Sequence, residues 1–359
     1  MDKNAQYRFL THAGFRRFIS GLIGGFVVYG TIKKDGFPAF GLITDSKDLV
    51  LAQTPTHLSA KEFFFPQRER LLKFDMASGS HSPIVESRDQ VVIGLHPCDI
   101  HGLSLMDRVF STGTIDVNYL ARRERTIVIG ADCMPDEYCF CESLGTMTID
   151  NGFDLFLTEI KSGVLVSVGS EKGASTLTKY ARPLPPKDVH LKELAKAWEK
   201  KKRSFKAKLD APREELPGVY ALSDAHPVWE KIGAVCYGCG SCNNVCPTCY
   251  CFDVRDEVKA DLSGGERVRV WDGCTLEEFA KVAGDHNFRR SRANRLRHRF
   301  NRKFRYLSDK FGSLFCVGCG RCSRTCLVKI NITEVTNELI SDGRAKDDAL
   351  GIPAATRKG

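Results

Sequence analysis

Nothing in this chain marks a nucleotide site or one of the common hydrolytic centres. It has no G-x-x-x-x-G-K-[ST] loop, no G-x-G-x-x-G between a strand and a helix, no H-E-x-x-H and no G-x-S-x-G. NAD and FAD are therefore expected on another subunit, with a flavin site lacking such a fingerprint left open. Long apolar runs are missing too. The most apolar segment, residues 18–29, is too short and too rich in glycine to cross a bilayer, so no membrane span is expected. No signal peptide is expected from its opening residues, and eleven of the fifteen cysteines lie after residue 230 at metal-ligand spacings. That usage argues against a disulfide scaffold and for a reducing, cytoplasmic, anaerobic setting.

What the chain does have is cysteine in register. The run Cys236-Tyr-Gly-Cys239-Gly-Ser-Cys242-Asn-Asn-Val-Cys246-Pro247 recurs eighty residues later as Cys316-Val-Gly-Cys319-Gly-Arg-Cys322-Ser-Arg-Thr-Cys326. Both follow C-x2-C-x2-C-x3-C, in which three thiolates hold one [4Fe–4S] cube and the fourth ligates the other. The spacing assigns Cys236, Cys239, Cys242 and Cys326 to a first cluster. Cys316, Cys319, Cys322 and Cys246 go to a second. Three thiolates on a tight loop can wrap one face of a cube, while the x3 step opens a helix that carries the fourth sulfur away. The glycines after Cys239 and Cys319 suit loops in which a Cβ would obstruct the backbone. Zinc also binds C-x2-C, but in separated pairs and not in repeated runs of four.

Seven cysteines remain. Cys98 falls just past the carboxyl end of an expected strand, 91–95, and Cys133 just past the next, 126–130. If those strands are neighbours, both sulfurs enter the crevice where open parallel sheets bind ligands, with Cys139 and Cys141 within reach. Four such cysteines suffice for a third [4Fe–4S] cluster, which is the expectation, with zinc or free thiols as alternatives. Cys249, Cys251 and Cys274 cannot alone fill a tetrahedral sulfur site. Packing around the first cluster is expected of them. They are kept as candidate cofactor-binding residues, because a water, a carboxylate or a partner's residue could complete a site.

The fold class expected is an α/β N-terminal domain with parallel strands, followed by a mostly helical two-cluster ferredoxin-like domain. In the first domain, residues 1–182, strands are expected at 24–29, 40–44, 49–52, 91–95, 126–130, 154–157 and 164–168. Helices are expected at 67–74, behind Pro66, and at 99–110, capped by Asp99. Strand, helix and strand between 91 and 130 form a βαβ unit with parallel strands. Residues 183–217 read as a linker, its charged helix at 191–209 set between proline-rich breaks. The ferredoxin-like domain takes 218–345, its inter-motif insert read as helical, and 346–359 form a tail.

The net charge of +9 gathers at 196–208 and 289–305. The first cluster reads as the solvated face of the linker helix. The second interleaves Phe288, Leu296, Phe300 and Phe304 at helical intervals, so it reads as an amphipathic helix beside the clusters. Its arginines would offset the negative charge of thiolate-ligated cubes. An acidic protein partner is the second reading of this patch and nucleic acid the third, and no nucleic-acid partner is expected.

Several stretches carry a family resemblance. They are Lys61-Glu-Phe-Phe-Phe-Pro-Gln-Arg-Glu69, Gly94-Leu-His-Pro-Cys-Asp99, Asp116-Val-Asn-Tyr-Leu-Ala-Arg-Arg123, Cys139-Phe-Cys-Glu-Ser-Leu-Gly145, Cys246-Pro-Thr-Cys-Tyr-Cys-Phe-Asp253, Trp271-Asp-Gly-Cys274 and the second cysteine run. In these the chain resembles the β subunit of cytoplasmic nickel–iron sulfhydrogenases and the similar A subunit of anaerobic sulfite reductase. Leu327 departs from the proline that usually follows the last cysteine. The resemblance implies an electron-transfer subunit in an obligate hetero-oligomer. It would work between a flavin subunit (FAD) that handles NAD(P)H and a catalytic subunit of a hydrogenase, sulfite reductase or heterodisulfide-reductase-like complex. The rival is a self-contained reductase acting on a sulfur compound at an open cluster or metal site around Cys249, Cys251 and Cys274. A zinc protein docking nucleic acid through its arginine helix is the rival from a third class.

Overall fold

Residues 90–95 and 126–131 are buried along their whole length, as unbroken apolar runs are when both faces of a strand are covered. They form the centre of the larger sheet. The computed structural model describes residues 6–51 and 54–349, with side chains from 7 to 343. The chain divides into two units that interleave in sequence: one takes 1–136, 146–205 and 254–270, the other 137–145, 206–253 and 271 onward.

In the first unit the chain runs β1 (Gln6–Leu10), α1 (His12–Gly25), β2 (Val27–Lys34), β3 (Phe37–Leu42), β4 (Arg68–Asp75), β5 (His81–Pro83), β6 (Gln90–Leu95), α2 (Pro97–Phe110), α3 (Val117–Arg125), β7 (Thr126–Ala131), β8 (Leu155–Ile160), β9 (Gly163–Val168), α4 (Glu171–Tyr180) and α5 (Asp188–Arg203). Seven strands make a mixed sheet in the order β1-β9-β8-β7-β6-β2-β3. β2, β6, β7 and β8 pair in parallel, the βαβ relation of β6 and β7 included, and the outer pairs are antiparallel. Because side chains alternate across a strand, Val91, Ile93, Ile127 and Ile129 share one face with Phe18, Ile19 and Leu22 of α1. The other face meets α2, whose Ile100 lies over Gly130, and α5, whose Leu194 packs on Phe9 and Leu165. A smaller sheet, β10-β11-β4-β5, adds the hairpin β10 (Phe252–Val258) and β11 (Gly264–Trp271).

Several expectations change here. Residues 67–74 are not a helix but β4, antiparallel to β11 from Gly264–Asp75 to Val270–Arg68. Pro66 does not start a helix. It follows a short 3-10 turn, Ala60–Phe63, and the strand then buries Glu69 between two arginines from far along the chain. No local pattern announces such partners. The inter-motif insert is not simply helical, since it supplies the β10–β11 hairpin and the short pair β12 (Lys281–Val282) and β13 (His286–Asn287). α1 takes the start of the strand expected at 24–29, and the linker helix is α5, shifted toward the N-terminus. Residues 49–51 form no strand, and Ala52 lies outside the described residues, as does most of the expected tail.

The second unit contains α6 (Leu216–Ala221), α7 (Val228–Val235), α8 (Ser241–Asn244), α9 (Arg292–Phe304), α10 (Tyr306–Phe311), α11 (Arg321–Arg324) and α12 (Ile332–Ala349). α9 is its spine. Phe304 stacks on Tyr220 at 4.8 Å, and Phe300 meets Trp229 edge-on at 5.7 Å. Phe288, grouped with this apolar stripe from sequence, precedes the helix and is exposed. Among the described residues no helix is long and apolar enough to cross a membrane.

Candidate metal centres

The two cysteine runs fold alike. In each, two glycines adopt left-handed conformations: Gly238 and Gly240 (φ 70° and 75°) in the first, Gly318 and Gly320 (φ 64° and 66°) in the second. These positions favour glycine because a Cβ meets the backbone there. The second glycine then opens a single helical turn. Gly240 O accepts from Asn243 N (2.9 Å) and Gly320 O from Ser323 N (3.0 Å). The turns α8 and α11, which carry Cys242 and Cys322, pack against each other. Each run thus leaves three sulfurs on a loop and sends a fourth past the turn.

Two cavities follow from this pairing. Cys236, Cys239, Cys242 and Cys326 all line the first, which also reaches Cys322. Cys246, Cys316, Cys319 and Cys322 all line the second. Each cavity therefore draws cysteines from both runs. Backbone amides point at two of the sulfurs, Gly238 N at Cys236 Sγ and Ile330 N at Cys326 Sγ, both 3.3 Å.

The surrounding charge is positive. Arg299 and Lys303 on α9 are 3% and 6% exposed, yet neither has a carboxylate partner among the described residues. Arg299 Nη2 donates to Cys242 O at 2.7 Å, its Nε is buried with no hydrogen bond, and Lys303 Nζ donates to Thr248 Oγ1 at 2.8 Å. Arg299 lines both cavities. Buried cations of this kind are costly unless negative charge lies beside them, and cluster-bound thiolates would supply it. The donor set therefore fits iron–sulfur cubes. In the thiol form, burial pushes Cys319 up to about 11 and Cys242 up to about 12. Burial acts most strongly on Cys246 as well, but Lys303 and Arg299 outweigh it and carry that thiol below its ordinary value. Ligation needs thiolates, and these cations favour them.

Of the four cysteines expected to hold a third cluster, Cys98 and Cys133 belong to the sheet unit. Each follows one of the neighbouring parallel strands β6 and β7, as expected. Cys98 lies in the first turn of α2, where its sulfur, a ring nitrogen of His96 and a carboxylate oxygen of Asp99 fall within 4.8 Å of one another. Asp99 does not cap α2 as its first residue. It sits in the first turn and accepts from His96 N at 3.3 Å. Cys133 lines a cleft with Asp132, Glu159 and Lys201, and Lys201 pairs with Asp132 at 2.5 Å. Cys139 and Cys141 belong to the other unit, where Phe140 N donates to Gly318 O at 2.8 Å beside the second cysteine loop.

The structure gathers Cys249, Cys251 and Cys274 into one buried group beside Cys246. Sequence reasoning missed Asn243, whose Nδ2 donates to Cys274 Sγ at 3.2 Å and Cys249 Sγ at 3.7 Å. It also placed the arginines of α9 only loosely. The signal was available: Arg299 and Lys303 are four apart and flank the apolar stripe Leu296, Phe300 and Phe304, so they sit at the edge of its buried face.

The paired cysteine loops fit an iron–sulfur protein, and residues 235–330 match the family model of a 4Fe-4S dicluster domain. Beyond that class, the chain belongs to the family of sulfhydrogenase β subunits. It is 36% identical over 314 residues to sulfhydrogenase 2 subunit beta of Pyrococcus furiosus, covering 87% of this chain and 92% of that protein. No solved structure matches it.

Proposed function

We propose that this protein is a subunit of a hetero-oligomeric oxidoreductase complex, relaying electrons between a flavin subunit that handles NAD(P)H and a catalytic subunit. The observation that carries this reading is the pair of cavities, each lined by cysteines drawn from both runs and sharing Arg299 as a wall. Bound there, two [4Fe–4S] clusters would take up and release single electrons. This chain's part is to hold them. The glycine-hinged loops present the thiolates, and the amides of Gly238 and Ile330 donate to sulfur. The charges of Arg299 and Lys303 favour the more reduced, more negative cluster and so raise its potential. The sulfhydrogenase relative favours a hydrogenase as the complex served. Cys98, Cys133, Cys139 and Cys141 are proposed as ligands of a third cluster.

Iron and acid-labile sulfide on anaerobically purified protein test the cofactors. About eight irons per chain correspond to the two ferredoxin-type cubes alone, and about twelve to one further cluster. Replacing Cys98 and Cys133 with serine should then remove about four. For the relay itself, the purified subunit is assayed for sulfite or polysulfide reduction with an artificial donor. No turnover is expected. Turnover by the isolated subunit would sink the relay and favour a self-contained reductase.

A further inference from the structure

We propose that the surface around Tyr237, Cys239 and Leu327 is the docking face through which the first cluster exchanges electrons with a partner subunit, one whose own face presents carboxylates around an apolar centre. The proposal rests on the electron-relay reading above and names the side of this chain that the partner covers.

The two cysteine runs can be compared position by position, because they fold alike but are covered differently. Against the second run lies the chain's own segment 138–141. Phe140 N donates to Gly318 O at 2.8 Å, and Cys139 Sγ lies 3.7 Å from Cys319 O. A Cβ on Gly320 would come within 2.4 Å of Tyr138 O. Under this cover Val317 is 3% exposed and Cys319 8%. Pro247, which follows the fourth cysteine of the first run and lines the second cavity, is buried as well.

The equivalent positions around the first cavity are bare. Tyr237 stands where Val317 does and is 68% exposed, and Leu327, in the place of Pro247, is 71% exposed. Cys239, the counterpart of Cys319, is exposed too. A Cβ on Gly238 would find no heavy atom nearer than 3.7 Å, and Leu276 touches this loop at Gly240 without closing it. Tyr237, Cys239 and Leu327 all line the first cavity, so exposed apolar side chains frame its mouth. Grouped apolar side chains on a surface mark an interaction site. A cluster held there through an exposed sulfur would lie within reach of a redox centre outside the chain.

Charge selects the occupant. Arg292 Nη1 donates to Cys236 O at 2.5 Å. Arg295, whose Nη2 lies 3.7 Å from a Cβ on Gly238, donates through Nη1 to Arg290 O at 2.6 Å. Lys329 follows Val328, which lines the same cavity. Arg290, Arg292 and Lys329 are exposed, and none has a carboxylate partner among the described residues. An apolar centre with a cationic rim fits a protein face of the opposite charge, whose carboxylates steer and orient docking. The second run, closed by the chain's own segment, offers no such face, so the first cluster is the end of the relay that meets the partner.

The test uses the full-length chain with an affinity tag, expressed in its own host and purified anaerobically with its bound subunits. The probe is a zero-length carbodiimide, which joins amines only to carboxylates. Lys329 should link to an Asp or Glu of a subunit that carries flavin or metal. Links from lysines of the sheet unit alone, with Lys329 unlinked, would overturn the proposal. The variant R290E/K329E should recover that subunit about tenfold less well at about 0.15 M salt, with iron content unchanged. Full recovery would overturn the proposal, and if the variant itself loses iron, the wild-type link map decides. Failure of the relay reading looks different: wild-type protein would then lack the clusters, or purify without any redox subunit.

Discussion

The sheet unit and the cysteine unit both bury arginine, but with opposite partners. In the sheet unit, Arg122 of α3 and Arg269 of β11 close on the two oxygens of Glu69, and Arg269 also reaches Asp116. Arg122 Nε further donates to Phe64 O at 2.9 Å, and the Arg269 guanidinium lies over the Phe65 ring at 4.8 Å. Two carboxylates meet two guanidiniums, so the group is electrically complete. In the cysteine unit, Arg299 and Lys303 face cysteine cavities and, among the described residues, no carboxylate. The first arrangement is a structural network that asks nothing of a cofactor. The second balances only when negative charge enters the cavities. Motif residues such as Glu69, Asp116 and Arg122 thus turn out to brace the sheet unit, while the cations of α9, outside every motif, bear on the clusters.

The sharpest way to break this contrast is to remove one carboxylate. Glu69→Gln leaves Arg122 and Arg269 buried with too little counter-charge, and it should cost about 3–5 kcal/mol in urea unfolding whether or not iron is present. A loss below about 1 kcal/mol would mean the network is relaxed by solvent. Arg299→Met should behave in the opposite way. In iron-free protein it removes an uncompensated buried cation and should stabilise by about 1–3 kcal/mol. In iron-loaded protein it removes a charge beside the clusters and should shift their potentials negative. Equal effects in both forms would contradict the assignment of Arg299 to the clusters.

How much of this was legible beforehand depended on whether the cause was local. The buried strands β6 and β7 and the presence of a helix between them are written in neighbouring residues, and the chain forms them there. β4 was not legible, because its distinguishing residue, Glu69, is stabilised by Arg122 and by Arg269, which stands two hundred positions away. The hairpin β10–β11 was hidden for the same reason, as its pairing strand lies in the other half of the chain. At the site, the spacing could propose how the cysteine runs divide. It could not bring Cys274 to Cys249 and Cys251, nor aim Asn243 at them, since that depends on β11 returning to the turn after Cys246.

A smaller contrast lies within the cysteine unit. A Cβ on Gly318 would come within 2.5 Å of Cys141 Cα and N, whereas one on Gly238 would meet nothing nearer than 3.7 Å. Both glycines are left-handed, so alanine costs about 1–2 kcal/mol at either from backbone conformation alone. Gly318→Ala should cost clearly more, by at least about 1 kcal/mol, and loosen the second ferredoxin-type cluster first. Thermal unfolding and iron retention of the two variants check this. Equal losses would mean that the Cys139–Cys141 segment yields easily to the second loop.

The smallest expected effect probes the half-buried side of the cationic helix. His298 is half-buried on α9, its ring 5.7 Å from that of Tyr306. Burial, then the charges of Arg289 and Arg302, lower its pKa from the ordinary 6.5 to about 4. Between those values the unfolded chain binds the proton and the folded chain does not. Stability should therefore be full above about pH 6.5 and fall as pH drops toward 4. Partial exposure limits the loss to on the order of 1 kcal/mol. His298→Gln should flatten that part of the profile in iron-free protein, where acid-labile clusters do not interfere. A profile unchanged by the substitution would show that Arg289 and Arg302 are screened from this side chain, in contrast to the buried Arg299 beside it in the chain.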